Sequence, residues 1–413
     1  MAAGHTLIRN VTLIDGGGGE PQSAWAVLVD GDRIVWSGPA NQAPAVPDGA
    51  IVDGEGHTLL PGMINCHVHL CNDGAADLFA QVANDSVPLA TVRGVLNARL
   101  TLEAGITTVR DCGAASQIAL EIGKAVDQGL IVGPRVRAAG RVVTMTGGHG
   151  HFIGREADGP DEVRKAVRAE IKGGANFIKV MATGGVLTPG GDPSQTTFQL
   201  EELQAAVEEA HKAGRPAASH AIGNRGIKNA LRAGIDSIEH GFYLDDEAIN
   251  LTLKNDSFLV PTLIAVDQIV SNGAKRGIPD WVVRKAESES GHHQESFVLA
   301  VKSGVKIAAG TDAGTPFNPH GDLALELIKM VEFGLSPMMA VVAATSSAAR
   351  LLRMDDQIGS IEKSKIADLI LVPGDPLTDI GVMQRPTFVM KSGSVIRNDL
   401  SRPRAVAGVQ ATR

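Results

Sequence analysis

PGMINCHVHL, residues 61–70, is the segment at which the pattern of the sequence changes. Its apolar residues and the Pro-Gly pair at its start predict a short strand that follows a turn. Side chains two residues apart on a strand point to the same face, so His67 and His69 are predicted to converge on one point. Such a pair can bind a metal ion, or it can be two buried histidines satisfied by hydrogen bonds. The other strands of the chain distinguish these two interpretations.

The composition of the 413-residue chain is that of a globular protein, with 44% hydrophobic and 20% charged residues. The formal charge of −8 and the lack of a basic stripe argue against nucleic-acid binding. Three cysteines predict no disulfide framework. No apolar run is long enough for a membrane span, and the first residues do not resemble a signal peptide, so we expect a cytoplasmic protein.

Short strands are predicted at both ends of the chain. Residues 1–60 contain alternating apolar segments and the hairpin signal Asp30-Gly31, and residues 358–400 contain further strands joined by Pro, Gly and Asp turns. Each segment is small for an independent core, so we expect the two to pair into one small β-sandwich domain. Residues 401–413 are predicted to be a loosely ordered tail.

The central region, residues 61–357, alternates apolar strands with helical stretches. Strands are predicted at residues 63–69, 106–110, 135–139, 177–181, 217–220, 235–240, 258–261 and 305–312. The clearest helices are predicted at residues 160–173, 200–213, 224–233, 322–333 and 338–352. Strands separated by helices indicate a parallel sheet. Eight such strands predict an α/β fold of the (β/α)8 TIM-barrel class.

Polar side chains occur on several of these strands, most of them at the carboxyl end. In a (β/α)8 barrel these ends surround the mouth of the active site. Histidine, aspartate and a suitably modified lysine can all bind metal ions, so their coincidence on one face predicts a metal centre. The residues are His67, His69, Lys179, His220, His240 and Asp312.

Lys179 is the unusual member of this set. An ammonium group is costly to bury in an apolar strand, and it has no lone pair to offer a metal. Lys179 could pair with an acid. Alternatively, its amine could have reacted with CO2 to form a carbamate, whose two oxygens could bridge two cations that share a hydroxide. The residues alone leave both interpretations open.

These motifs resemble those of the amidohydrolase superfamily, in the branch with two metals and a carbamylated lysine. The similar segments are residues 61–69, 178–179, 220, 239–241, 310–314 and 359–369. The resemblance implies two divalent metal ions, expected to be zinc. One would be bound by His67, His69, Lys179 and Asp312, and the other by Lys179, His220 and His240. Asp312 would also take a proton from the attacking water and pass it to the leaving amine.

Loop motifs at residues 146–150, 241–244 and 319–321 are similar to those of the imidazolonepropionase-like group. That group contains Xaa-Pro dipeptidases, carboxypeptidases acting on N-acyl amino acids, and enzymes that hydrolyse ochratoxin A. The resemblance implies that His149 and Tyr243 contact the scissile carbonyl oxygen or the substrate carboxylate. His149 could instead cap a glycine-rich turn.

The resemblance implies a binuclear amidohydrolase that cleaves an amide bond next to a free carboxylate by attack of a metal-bridging hydroxide. A small amide or peptide substrate and a homo-oligomer are expected, without nucleic acid or membrane. The alternatives are a cyclic-amide hydrolase or deaminase on the same scaffold, and a scaffold protein without catalysis. Arg110, Arg155 and Arg225 are unranked candidates for binding the substrate carboxylate. Residues 263–296 could be a functional lid or a solvated excursion.

Overall fold

The computed structural model describes residues 4–47, 50–273 and 275–400, so the predicted tail at 401–413 lies outside the described residues. The strands are β1 (His5–Leu13), β2 (Gln22–Asp30), β3 (Arg33–Pro39), β4 (Ile51–Asp53), β5 (His57–Pro61), β6 (Met63–Val68), β7 (Ile106–Asp111), β8 (Arg135–Ala138), β9 (Val143–Thr144), β10 (Arg155–Glu156), β11 (Ile178–Met181), β12 (Ala217–Ala221), β13 (Ser237–His240), β14 (Phe258–Val260), β15 (Lys306–Ile307), β16 (Leu369–Pro373), β17 (Phe388–Lys391) and β18 (Ser394–Asn398). The α-helices are α1 (Leu78–Asn84), α2 (Val87–Glu103), α3 (Ile118–Asp127), α4 (Gly159–Gly173), α5 (Leu200–Lys212), α6 (Asn224–Arg232), α7 (Asp246–Lys254), α8 (Leu263–Asn272), α9 (Asp280–Lys302), α10 (Leu323–Glu332), α11 (Pro337–Ala343) and α12 (Ser346–Leu351).

Strands from both ends of the chain form one mixed sheet, in the order β18-β17-β16-β5-β1-β2-β3 with β4 beside β1. The predicted hairpin is present: β2 and β3 pair antiparallel with Asp30 opposite Arg33. Gly31 supplies the left-handed φ of 59° that this tight turn needs. Strand β16 pairs antiparallel with β5, with Leu369 opposite Pro61. The two terminal segments therefore share one sheet, as the sequence predicts.

Parallel strands make up the central region. They form a sheet of β6-β7-β8 and a second sheet of β10-β9-β11-β12-β13-β14-β15. Backbone hydrogen bonds join the two sheets: Asn176 N, just before β11, donates to Ala138 O at the end of β8, and Cys66 N of β6 donates to Ala309 O after β15, both at 2.8 Å. Helices α5 and α6 pack against the strands that precede and follow them. The chain has an α/β fold with mixed sheets.

Several of the predicted helices agree closely with the structure. The helices predicted at residues 160–173, 200–213 and 224–233 correspond to α4, α5 and α6, each within one residue at either end. Each carries buried apolar residues along one face, as their helical spacing indicates. The clear amphipathic patterns therefore located these helices correctly.

The prediction of one continuous helix at residues 338–352 is wrong, because the structure has two helices there, α11 and α12. At the break, the carbonyl of Ala344 accepts a hydrogen bond from Ile64 N of β6, and the carbonyl of Ala343 accepts one from Ala309 N, both at 2.8 Å. These two carbonyls accept hydrogen bonds from the strand region and are therefore not available to a continuous helix. The periodicity of the sequence cannot reveal hydrogen bonds between residues so far apart in the chain.

The strand predicted at residues 305–312 is too long, since the paired strand is only Lys306–Ile307. The following residues curve beside β6, where Asp312 N donates to His67 O at 2.8 Å. Gly310 allows this close approach, because a Cβ there would lie 2.9 Å from the Cβ of His67. The irregular backbone therefore brings Asp312 beside the histidines of β6.

Candidate metal centre

The predicted ligands lie together at one end of the parallel strands. They come from β6 and the residue after it, from β11, β12 and β13, and from the segment after β15. Carboxyl ends of parallel strands meet at one edge, which explains how residues far apart in sequence converge. One cavity is lined by all six residues: His67, His69, Lys179, His220, His240 and Asp312.

Asp312 lies at the centre of this cluster. Its Oδ1 is 3.3 Å from His67 Nε2 and 3.2 Å from His69 Nε2. Candidate ligand atoms of His67, His240 and Asp312 all lie within 4.8 Å of one another, which is close enough for them to hold one ion. Burial alone would raise the pKa of Asp312, but the neighbouring His67, a hydrogen bond from His69 and the Lys179 charge hold it well below its usual range. The carboxylate is therefore ionised at neutral pH.

Two of the histidines have their tautomers set by backbone carbonyls. Gly113 O accepts a hydrogen bond from His69 Nδ1 at 2.8 Å, and Gly184 O accepts one from His220 Nε2 at 2.7 Å. A carbonyl oxygen can only accept, so these ring nitrogens carry the protons. When the rings are neutral, the other nitrogen of each has a free lone pair, although the hydrogen bond to Asp312 raises the pKa of His69 against the effect of its burial. This arrangement is typical of metal-binding histidines.

The other two histidines are held by side chains. His67 Nδ1 is 2.8 Å from Glu239 Oε2, and His240 Nδ1 is 2.7 Å from Thr262 Oγ1. Burial lowers the pKa of His67 to about 4 and places the pKa of His240 well below its usual value. Neutral imidazoles are the form that binds metals, so this donor set fits divalent cations.

Glu239 and Arg110 form a buried ion pair behind the cluster, which the sequence did not predict. Arg110 Nη2 donates to Glu239 Oε1 at 2.6 Å, Nη1 donates to Ser237 Oγ at 3.0 Å, and Nε donates to Cys66 O at 2.6 Å. Burial would raise the pKa of Glu239, but the Arg110 charge and the bond from His67 hold it well below its usual range. Arg110 is thus engaged in the interior. The sequence did contain a signal for this pair: Arg110 is a charged residue in an apolar strand, and a buried charge requires a partner.

Lys179 is almost completely buried, at 1% exposure, and it lines the cavity with His67 and His220. Within the described part of the chain, no hydrogen bond or ion pair joins its amine to another residue. Its charge acts on the nearby carboxylates of Glu239 and Asp312, whose pKa values it helps to lower. The sequence left open an acid that pairs directly with Lys179, and the described residues contain no such pair.

A largely apolar chamber adjoins the cluster. It shares His149, His220, His240 and Asp312 with the first cavity. Its apolar wall would accommodate an apolar group of a bound molecule next to the ligand cluster. The wall consists of Val186, Leu187, Ile222, Phe242, Ala265, Val266 and Ile269.

His149 lies inside the site. It lines both cavities, and its ring centroid is 4.2 Å from that of His220. Its Nδ1 is 2.7 Å from Thr188 Oγ1, so Nε2 is the nitrogen free to contact a ligand. Burial lowers the pKa of His149 to about 4, which keeps the imidazole neutral.

Tyr243 lies at the margin of the site. Its ring contacts His292 of α9 with the centroids 4.7 Å apart. Among the described residues, it is not one of those that line the two cavities. Burial and the neighbouring Glu289 raise the pKa of Tyr243 to about 12, so its hydroxyl keeps its proton. The structure therefore brings His149, but not Tyr243, to the cluster.

The segment 263–296 forms helix α8 and most of α9 beside the cavities. Three apolar residues of α8 belong to the chamber wall. Lys285 of α9 donates to Thr188 O at 2.7 Å and also to Gly191 O, so α9 holds the loop between β11 and α5. The segment is therefore helical and borders the chamber, and its role as a functional lid stays a prediction.

The remaining arginine candidates for the substrate carboxylate differ in their surroundings. Arg155 Nε pairs with the buried Glu170 at 2.8 Å. Arg225 is exposed in the first turn of α6, after β12. Of the three arginines, only Arg225 has no ion pair with another described residue.

Three residues of the candidate site have a strained backbone. His240, Asp312 and Thr262 adopt positive φ values of 72°, 59° and 54°, a conformation that side chains other than glycine seldom adopt. Such strain is often retained at functional sites, where it orients a side chain. Here it aims two ligand candidates and the partner of His240 into the same cavity.

Comparison with known families places these observations in context. Residues 58–396 match the model of the amidohydrolase family. The chain belongs to that family. The predicted family is thereby confirmed, and the protein is a hydrolase acting on C–N bonds. Amidohydrolases typically use divalent metals, and the cluster around Asp312 supplies a group of residues that could bind one.

Individual relatives of this amidohydrolase are known. It is 34% identical to an ochratoxinase of Aspergillus niger over 82% of the chain and 75% of that protein. It is 28% identical to an imidazolonepropionase of Cutibacterium acnes over 92% of both chains. The structure of a Xaa-Pro dipeptidase with bound methionine in its active site aligns with a TM-score of 0.88 at 35% identity, covering 95% of this chain and all of the other.

A membrane span needs a helix of sufficient length and hydropathy, and the helices of the described residues do not include one. None of those in the described part of the chain is both long enough and apolar enough to cross a bilayer.

Proposed function

We propose that this amidohydrolase cleaves an amide bond next to a free carboxylate, as in Xaa-Pro dipeptides, N-acyl amino acids and ochratoxin A. The observation that carries the proposal is the cluster of four histidines, Lys179 and Asp312 in one cavity that continues into an apolar chamber. The ochratoxinase and Xaa-Pro dipeptidase relatives support the substrate class.

We propose two divalent cations, expected to be zinc, with a carbamate on Lys179 between them. His67, His69 and Asp312 would hold one cation, and His220 and His240 the other. The unpaired, buried amine of Lys179 supports the carbamate, because an anionic carbamate can bind cations and an ammonium cannot. When bound, the cations would polarise the scissile carbonyl and lower the pKa of a water molecule to near neutrality.

The side chains of this site would carry out the remaining steps. The ionised Asp312 can accept a proton from the attacking water and donate it to the leaving amine. His149, with Nδ1 engaged by Thr188, can donate through Nε2 to the carbonyl oxygen as negative charge develops. We assign to Tyr243 a contact with the substrate carboxylate at the margin of the site, where its hydroxyl keeps its proton.

The proposed architecture is a closed (β/α)8 barrel of residues 61–357 with a small β-sandwich domain from residues 1–60 and 358–400. The hydrogen bonds that join the two parallel sheets at β8 and at β6 support closure. We further propose a homo-oligomer that binds a small amide or peptide substrate, without nucleic acid or membrane.

The substrate class can be tested with the metal-loaded enzyme in bicarbonate. We expect hydrolysis of Xaa-Pro dipeptides or N-acyl amino acids, detected by release of the free amino acid. Matched amides without a carboxylate should react at least about tenfold more slowly, because loss of one charge-assisted contact costs about 1.5–3 kcal/mol. Equal rates for the two sets would contradict recognition of the carboxylate.

A second candidate is a cyclic-amide hydrolase, which the imidazolonepropionase relative favours. Turnover of an imidazolone or a lactam, with no turnover of dipeptides or N-acyl amino acids, would establish that alternative. The same assay therefore separates the two functions.

The bridging role of Lys179 can be tested by counting metal ions. We expect Lys179→Ala to lose bound metal and to reduce activity by about 1,000-fold or more, since metal ions supply several kcal/mol to catalysis. The matched control is Lys124→Ala on the exposed surface of α3. Full metal content and activity in Lys179→Ala would exclude the shared carbamate.

A further inference from the structure

Helix α2 exposes a stripe of apolar side chains. Leu89, Val92, Leu96 and Leu100 are 48%, 57%, 59% and 54% exposed. With 3.6 residues per turn, the four side chains fall within about 80° of the helix circumference. They are spaced like the residues through which one helix packs against another.

The opposite side of α2 is already covered by the protein. Gly94, Asn97, Ala98, Thr101 and Leu102 are all buried. Helix α2 is therefore flanked by the core on one side and carries an apolar stripe on the other. A surface helix normally has a polar outer face, and a helix that is apolar on both sides is typical of a buried position.

Two more exposed apolar residues lie beside the C-terminal half of α2. Leu130 and Val132 are 72% and 57% exposed in the connection from α3 to β8. This connection packs against the buried side of α2, because a Cβ on Gly133 would lie 3.2 Å from the Cβ of Ala98. We therefore call the surface formed by the stripe alone, Leu89, Val92, Leu96 and Leu100, the α2 patch.

The size of the α2 patch suits a protein interface. From the exposed fractions, its four side chains present roughly 400 Å² of apolar surface, against about 800 Å² per partner in a standard interface. Monomeric proteins seldom expose larger apolar patches. The rim around the stripe would contribute the remaining area.

The charges beside the stripe are internally neutralised. Arg93 on one flank pairs with Asp85 at 2.9 Å and with Asp73, and Arg99 on the other flank pairs with Glu103 at 2.8 Å. A membrane-binding helix would present uncompensated basic residues to anionic lipids. Two identical surfaces of this kind meet without repulsion between unpaired charges. The neutral flanks therefore favour a second copy of the chain over a lipid surface.

We propose that the α2 patch is a two-fold interface between two copies of this chain, in which α2 of each copy packs antiparallel on α2 of the other. A two-fold interface uses the same surface on both subunits, so one apolar stripe is sufficient. Leu96 lies midway between Val92 and Leu100, so the symmetry axis passes near it.

The first test is the mass of the full-length protein by light scattering after size exclusion. We expect an even multiple of the 43.0 kDa chain mass, and at most half that mass for Leu96→Glu, which buries a charge at the centre of the interface. The matched control is Leu253→Glu on α7, which is 45% exposed and outside the patch. Circular dichroism would verify that both variants fold. A monomeric wild type, or an unchanged mass for Leu96→Glu, would overturn the proposal.

Cross-linking tests the geometry without disrupting the interface. We expect Leu96→Cys to form a disulfide-linked dimer on mild oxidation, and Leu253→Cys to remain unlinked. The native thiols of Cys66, Cys71 and Cys112 are buried, which keeps the background low. No covalent dimer from Leu96→Cys would contradict the antiparallel packing. Flotation of a monomeric wild type with phosphatidylglycerol vesicles would assign the patch to a membrane instead.

Discussion

At the scale of single residues, the candidate site depends on side chains that orient other side chains. His67 is held by Glu239, and Glu239 is in turn neutralised by Arg110. The partners fix which nitrogen of His67 is free for a ligand. A buried charge network of this kind is stable only while every member is present. Arg110 is thus a positioning residue for the candidate metal centre, although it does not line either of the two cavities.

The Arg110–Glu239 pair can be tested by a double-variant cycle. We expect Arg110→Ala to lower the free energy of unfolding by about 3–5 kcal/mol, because it leaves the Glu239 carboxylate buried without its partner. Urea unfolding at neutral pH measures the loss. The double variant Arg110→Ala, Glu239→Gln should be more stable than Arg110→Ala alone, since it buries no unpaired charge. A double variant that is less stable would contradict this account.

At the scale of secondary-structure elements, the start of α8 is capped by a side chain of another helix. The first backbone amides of a helix lack partners within it. Glu326 of α10 accepts hydrogen bonds from Leu263 N at 2.9 Å and Ile264 N at 2.8 Å. Thr262, the residue before α8, contacts His240. The α10–α8 contact therefore positions both the chamber wall and one candidate ligand.

The cap of α8 can be tested with Glu326→Gln. An amide has one acceptor oxygen instead of two, so we expect a loss of about 1–3 kcal/mol in stability. The chamber wall on α8 should also shift, which would raise KM for a substrate with an apolar group more than it lowers kcat. The control is Glu332→Gln at the exposed end of α10. Equal effects of the two substitutions would show that the cap is unimportant.

Asp236 joins three elements just before β13. Its carboxylate is bound by His211 of α5 at 2.7 Å, by Ala217 N of β12 at 2.8 Å and by Arg353 after α12 at 2.9 Å. Burial would raise the pKa of Asp236, but the hydrogen bonds from His211 and Ala217 lower it below the ordinary aspartate value of 3.8. The ionised form therefore stabilises the folded state at neutral pH.

The pH dependence of this contribution has a definite sign. Because the pKa of Asp236 is lower in the folded chain, its contribution is present above the unfolded value and is lost as the pH falls through the folded value. We expect Asp236→Asn to be less stable by about 2 kcal/mol at pH 7, with a smaller difference from the wild type at pH 3. Urea unfolding at both pH values measures it, with the exposed Asp355→Asn as control. A constant difference would refute the linkage.

At the scale of the whole molecule, one sheet joins the two ends of the chain. Strand β16 lies between β5 and β17, and Leu369, Ile370 and Leu371 are completely buried. Arg135 of β8 also pairs with Asp368 at 2.8 Å, which ties this sheet to the parallel strands. The C-terminal segment is therefore part of the folded structure that supports the site.

Removal of the C-terminal segment tests this dependence. A chain ending at residue 357 would leave β5 without its partner and expose the apolar residues that β16 covers. We expect it to aggregate, because unpaired apolar strand edges associate. Co-expression with residues 358–413 should restore a soluble complex. A soluble, fully folded chain 1–357 would show that the sheet is dispensable.

The sequence by itself determined the alternation of strands and helices, the family, and the six candidate ligands that lie together in the cavity. These features follow from local periodicity and from residues that can bind a metal only when they share a face, as His67 and His69 do. The broken helix at Ala344 and the short strand at Lys306–Ile307 were not predictable, because distant backbone partners decide them.

Only the tertiary structure decided which side chains support the site and which surface is left uncovered. The Arg110–Glu239 pair, the cap by Glu326 and the marginal position of Tyr243 depend on contacts between elements far apart in sequence. The α2 patch likewise becomes visible only when the core has covered the other side of the helix. The physical reason is that a residue type specifies what a side chain can bind, whereas the packed fold specifies what lies within its reach.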